Sequence, residues 1–140
     1  MIIIDTNVIS EMMKLSPARS VFNWFDQQDA NHLFITTITI AEISYGLNTL
    51  PLGKRRTLLE EAFNNTIKEA FKHRILTFDN DAALAYGKIM SQRKELGQPL
   101  SVLDGQIIAI ARTHNAKIAT RNIKDFSDCG IFIINPFNLR

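Results

Sequence analysis

The stretch MIIIDTNVISE, residues 1–11, decides how the rest of the chain is read. Ile2–Ile4 are three consecutive β-branched residues, the pattern of a strand covered on both faces. Asp5 then ends the run with an acid at the carboxyl end of that strand. Working outward, Leu33–Thr36, Lys117–Thr120 and Ile131–Ile134 have the same character, and Ile75–Phe78 is a weaker fifth run. Each is too short to be a helix by itself. Between them lie helical patterns over Ala18–Gln28, about Ala41–Thr49, Lys54–Phe71, Ala82–Leu96 and Val102–Thr113. Pro17, behind Ser16, reads as a first-turn residue, while Gly97 and Pro99 close the helix Ala82–Leu96. Strands alternating with helices of this length predict an α/β fold with a parallel sheet covered on both faces.

The composition agrees. With 140 residues, 46% hydrophobic and 21% charged, the chain is expected to form a single domain over residues 1–140 whose core needs neither disulfide nor structural metal. Sixteen Lys and Arg against fourteen Asp and Glu leave a net charge of +2, which excludes a highly charged coat-like nucleic-acid binder but permits a local basic groove. Cys129 stands alone, so a disulfide framework and a multi-thiolate zinc site are excluded, and a reducing compartment fits. The apolar N-terminal run stops at Ile4 without a basic flank or a small-residue cleavage site, unlike a signal peptide. No stretch approaches the roughly 20 apolar residues that span a bilayer. The expectation is a soluble, cytoplasmic protein.

In open parallel sheets, chemistry gathers beyond the carboxyl ends of the strands. Asp5 follows the first strand, Glu42 follows the second within the expected opening turn of a helix, and Asp125 follows Lys117–Thr120 in the segment TRNIKDF. Asp104, in PLSVLDGQIIAIA, begins a strongly apolar helix that carries its first turn inward. Each acid also has a local explanation. Asp5 can cap a following helix, with Thr6 and Asn7 in its turn. Glu42 stands three residues after Thr39 and Asp104 three after Ser101, as in capping boxes. Asp125 can be a surface loop acid. Together, however, the acids pose an electrostatic problem. Two unit charges about 4 Å apart repel by roughly 4 kcal/mol at an effective dielectric of 20, and crowded carboxylates raise one another's pKa. A hard divalent cation, Mg²⁺ or Mn²⁺, resolves it and leaves positions for a phosphate oxygen. Metal-assisted phosphodiester hydrolysis is the chemistry such a site serves best.

Other chemistries lack their residues. His32, His73 and His114 are scattered, and no P-loop or G-x-G-x-x-G is present. A phosphatase with an aspartyl nucleophile needs a second Asp two positions after the first, where this chain has Asn7. A receiver-type phosphoacceptor shows adjacent N-terminal acids and a lone Asp after a middle strand, neither of which occurs.

MIIIDTNVISE, TITIAEISYGL, PLSVLDGQIIAIA and IATRNIKDF, in that order, resemble the motifs of the PIN-domain family, and in spacing those of VapC-type toxins, the FitB-like branch included. The resemblance runs over essentially the whole chain. It implies a three-layer α/β/α sandwich around a parallel sheet of about five strands and a Mg²⁺- or Mn²⁺-dependent endoribonuclease. It also implies a homodimer and neutralisation by a VapB-type antitoxin in a heterotetramer or larger assembly. Carried over by motif, Asp5, Glu42 and Asp104 form the acidic metal-binding triad, with Asp125 as the fourth acid and Asn122 as a supporting position. Thr6, Asn7 and Ser101 are candidates to orient these acids. Arg121 and Lys124, and further off Lys88 and Arg93, are candidates to meet RNA phosphates. The alternative is a catalytically weak RNA-binding or regulatory module that works mainly through its partner; it would keep RNA affinity without metal and cleave nothing with it. Finally, Val21, Phe22, Trp24 and Phe25 make one short helix unusually aromatic, and Phe34, Tyr45, Leu47, Leu50 and Leu52 follow closely. Most of this band is expected in the core, with part left as an apolar groove for an antitoxin helix whose tail brings a basic side chain to the acids.

Overall fold

The computed structural model describes residues 1–138. Five strands, β1 (Ile2–Ile4), β2 (Leu33–Thr36), β3 (Ile75–Leu76), β4 (Lys117–Ala119) and β5 (Ile133–Ile134), form one sheet in the order β3-β2-β1-β4-β5. Every pairing is parallel, with Ile2 opposite Leu33 on one side and Lys117 on the other. The ladder continues past β4, because Thr120 N–H donates to the Ile134 carbonyl at 2.8 Å and Asp5 N–H to that of Ala119 at 2.9 Å.

The apolar strands are buried on both faces because helices cover both. Successive residues of a strand face opposite ways, and the two cores show it. Ile3 and Ile118 pack with Ile89 of α5 (Asn80–Glu95), Ile107 and Ile110 of α6 (Val102–Thr113) and Phe126 of α7 (Ile123–Phe126). Ile4 and Ala119 point into a second core with Val8 of α1 (Thr6–Met12), Trp24 of α2 (Arg19–Asp26), Leu47 of α3 (Thr37–Thr49) and Phe63 of α4 (Lys54–Asn65). The result is the three-layer sandwich with a five-stranded parallel sheet.

Several local expectations change. Helix α1 begins directly after β1, where the sequence shows no helical stripe. TNVISEM is rich in β-branched residues of low helix propensity, and burial of Val8 and Ile9 overrides it. Helix α3 starts at Thr37, four residues before the expected Ala41, because the Thr36 hydroxyl accepts from Thr39 N–H and caps it there. Helix α2 starts at Arg19, behind an N-terminal Ala18 whose amide is taken by Glu11 Oε2 at 2.9 Å, so Pro17 lies outside it. The run expected as one helix over Lys54–Phe71 gives way after Asn65 to a π-helical turn, Thr66–Ala70. Trp24 and Val21 are core residues, whereas Phe22 is 53% exposed. Gly97, at φ 70°, closes α5 as the sequence indicates.

Helices α5 and α6 approach closely at Gly105. A Cβ there would sit 2.5 Å from Met90 Sδ and 3.0 Å from the Tyr86 ring, so any larger residue beside Asp104 would have to push the Met90 side chain aside and press on Tyr86.

Candidate active site

Asp5 lies at the centre of a set of donors. Its Oδ1 accepts from Thr6 N–H at 2.8 Å, and its Oδ2 accepts from the Thr120 hydroxyl at 2.7 Å and from Asn7 Nδ2 at 3.2 Å. Thr120 is itself fully buried, and its hydroxyl accepts from Asn122 N–H at 3.0 Å. Asn7 also accepts from Arg121 N–H at 3.1 Å. The ends of β1 and β4 are thus tied together through side chains of both. Thr6, the residue after Asp5, donates its hydroxyl to Glu42 Oε1 at 2.9 Å, and the Thr39 hydroxyl lies 3.0 Å behind it.

Glu42 therefore stands in the second turn of α3, not in its opening turn, and does not close a capping box with Thr39. The earlier start of α3 turns it toward Thr6. Ser101 does cap α6, accepting from Asp104 N–H at 3.2 Å, so Asp104 lies in the first turn of that helix. There the helix dipole favours its anionic form. Asp125 is exposed and sits on the one-turn helix α7 rather than in a loop, behind Asn122 at the N-terminal boundary of that helix.

The acids sense one another. Burial raises the Asp5 carboxyl to about 6, and Asp104 and Glu42 add to the rise against the hydrogen bonds from Thr120 and Thr6. Burial, then the Asp104 charge, raises Glu42 against the Thr6 hydrogen bond. Burial also raises Asp104, with Asp125 adding to it and Ser101 opposing. Asp104 is thus the shared neighbour that links Asp5 and Glu42 to Asp125.

Among the described residues, no three His, Cys, Asp or Glu side chains are grouped so as to hold a metal ion. The donors nevertheless suit a hard cation. They are carboxylates without thiolate or imidazole, and the pKa of Asp5, Glu42 and Asp104 is raised first by burial and then by neighbouring acids. Mg²⁺ keeps several waters and is commonly bound through only one or two carboxylates.

The basic candidates divide. Arg121 stacks 3.7 Å above the Phe137 ring and lies 3.8 Å from Glu11 Oε1, on the α1 side of the cluster. Lys124 and Lys88 are exposed, on α7 and α5. Arg93 is only 5% exposed and is occupied by backbone carbonyls, so the expectation that it meets RNA phosphates is wrong. Sequence reasoning also passed over Thr120 and Thr39, whose only signal is a hydroxyl at the polar end of an apolar strand and another three residues past one. Glu11 was missed as well; it is buried and held ionised first by Lys14 and then by Ala18 N–H.

Residues 2–130 match the PIN domain, and the chain belongs to that family. It is 41% identical to VapC ribonuclease Y4jK of Sinorhizobium fredii, over 98% of both chains. It is 35% identical to toxin FitB of Neisseria gonorrhoeae, over 99% of both. A solved structure of FitAB bound to an IR36 DNA fragment superposes with a TM-score of 0.92 at 35% identity, covering 100% of this chain and 98% of that one.

Proposed function

We propose that this chain is a divalent-cation-dependent endoribonuclease and the toxin of a toxin–antitoxin pair. The observation that carries the reading is the group of carboxylates Glu42, Asp5 and Asp104, each raised by burial and by a neighbouring acid, with Asp125 the acid that acts on Asp104, beyond the carboxyl ends of a PIN-type sheet. The ribonuclease and toxin relatives support the substrate and the role.

In this reading Asp5, Glu42 and Asp104 hold Mg²⁺ or Mn²⁺, with Asp125 at the outer end. When bound, the cation polarises the phosphodiester and lowers the cost of deprotonating water. The chain's own part is to fix the carboxylates. Thr6 orients two of them at once, Asp5 through its amide and Glu42 through its hydroxyl. Thr120 and Asn7 hold the second oxygen of Asp5. Ser101 sets the first turn of α6 that presents Asp104. Such donors hold a ligand in one orientation, so little rearrangement is needed when the cation and substrate arrive.

For the antitoxin this reading takes a groove that includes Leu47 of the apolar band but lies mainly beyond it. A groove between α1, α3 and α4 starts at Thr6 and Glu42 and runs past Met13 and Leu59 to Leu15 and Leu58. Its floor is apolar and its rim carries Lys14, Lys54 and Arg55. An amphipathic partner helix with acidic flanks suits it. A chain following the groove would reach the carboxylates, where a basic side chain would be held.

The test is cleavage of a mixed RNA pool by antitoxin-free protein with Mg²⁺, Mn²⁺ or chelator, beside Asp5→Asn. Cleavage that needs the cation and drops by at least about a hundredfold in the variant is expected. Metal-independent RNA binding without any cleavage by folded protein would overturn the nuclease reading in favour of a binding module.

A further inference from the structure

Arg93 is a buried cation that the chemistry so far does not use. It lies near the carboxyl end of α5 with 5% of its surface exposed, and among the described residues no ion pair includes it. Its partners are backbone carbonyls. Nε donates to Gln98 O at 2.8 Å, Nη1 to Ser127 O, and Nη2 to Asp125 O at 3.4 Å, while Cys129 Sγ lies 3.7 Å from Nη1. A buried charge without a carboxylate is expensive, and an apolar residue of similar size commonly stabilises a fold at least as well. What an apolar residue lacks is a planar fork of donors that can join several carbonyls.

Gln98 lies just past α5, but the carbonyls of Asp125 and Ser127 belong to one short stretch. Helix α7 has four residues, Ile123–Phe126, too few to be stable alone. Its carbonyl end lacks helical partners, and the chain then turns through two left-handed residues, Asp128 at φ 58° and Gly130 at φ 72°. Arg93 donates to the carbonyls of Asp125 and Ser127 there, and places a positive charge at the carboxyl end of the helix. The same α5 packs tightly on α6 through Gly105, next to Asp104. One rigid helix pair thus carries Asp104 directly and holds the turn bearing Asp125 through Arg93.

We infer that Arg93 is a positioning residue that sets Asp125 against Asp104, and so governs cation binding at the outer end of the carboxylate row. The inference rests on the reading of Asp125 as a fourth cation-binding acid. It acts through the backbone, and Arg93 touches neither cation nor RNA.

The experiment is Mn²⁺ binding by calorimetry on RNA-free protein, with a thermal melt of each variant, for Arg93→Met, Arg93→Lys, Asp125→Asn and Arg93→Met/Asp125→Asn. Arg93→Met should weaken Mn²⁺ binding by about tenfold, the size typical for groups that orient ligands. Asp125→Asn should weaken it similarly, and the double variant should be little worse than either, since both changes remove one contribution. Arg93→Lys keeps the charge but cannot join the carbonyls, and should bind like Arg93→Met; it replaces Arg93→Met in the cycle if that variant does not fold. Lower melting temperature with unchanged Mn²⁺ affinity would make Arg93 merely structural and overturn the inference. So would losses that multiply in the double variant. Unchanged binding in Asp125→Asn would overturn the fourth-acid reading itself, and the inference with it.

Discussion

At Asp5 the fold works against ionisation. Its carboxyl holds a proton up to about pH 6 in the folded chain, against a reference of 3.8. Folding therefore favours the protonated form, and this contribution is complete below pH 3.8 and lost as pH rises toward 6. At neutral pH without a cation the shift amounts to about 3 kcal/mol of lost stability. Glu42 and Asp104 are displaced in the same direction. Urea unfolding in chelator should find Asp5→Asn more stable than the natural chain at pH 7.5 by up to about 3 kcal/mol, with little difference at pH 4. Excess Mn²⁺ should stabilise the natural chain selectively. A difference between the two proteins that does not change with pH would sink this account. Asp5 and Asp104 were legible because each stands at the end of an element, and Glu42 because it closely follows a strand, although it proves to lie in the second turn of α3. What surrounds them was not: Thr120 reads as one more strand residue, and only the pairing of β4 with β1 brings its hydroxyl to Asp5. Arg93 carries a charge that sequence assigns to the surface, and only its place beneath α7 shows otherwise.

Among the elements, the central strands and α6 were readable because their apolar runs match burial on both faces or a helical core. Helices α1 and the start of α3 were not, since Thr, Val and Ile there favour strands locally and only tertiary packing settles the matter. The close approach of α5 to α6 was equally hidden, for a glycine inside a helical pattern has no sequence mark of what faces it. Gly105→Ala should cost about 1–3 kcal/mol through overpacking. Met90→Ala should recover part of that loss, because the Met90 sulfur is the nearest atom to the added methyl. Melts of the two single variants and the double variant measure the coupling. Additive losses would mean that Tyr86, or the helix backbone, absorbs the strain instead.

For the whole molecule, the surface proposed for the partner separates from the core. Leu58 is 46% exposed on the α1–α4 groove, whereas Trp24 is 6% exposed inside the second core. Leu58→Glu should weaken antitoxin binding by at least about tenfold and change stability by no more than about 0.5 kcal/mol, as surface substitutions do. RNA cleavage by the antitoxin-free variant should stay intact. Trp24→Ala, by contrast, should destabilise the fold by about 3–5 kcal/mol. Full antitoxin affinity in Leu58→Glu would place the partner elsewhere. The sheet order also has a consequence in time. The first strand lies in the middle, and Asp5 meets its Thr120 partner across 115 residues of chain. At ribosomal rates of about 5–20 residues per second, roughly 5–25 seconds separate the synthesis of the two. Throughout that interval the growing polypeptide carries its first acid without the strand that completes its setting. The surroundings of Asp5, and the site built on it, are therefore complete only when almost all of the chain exists.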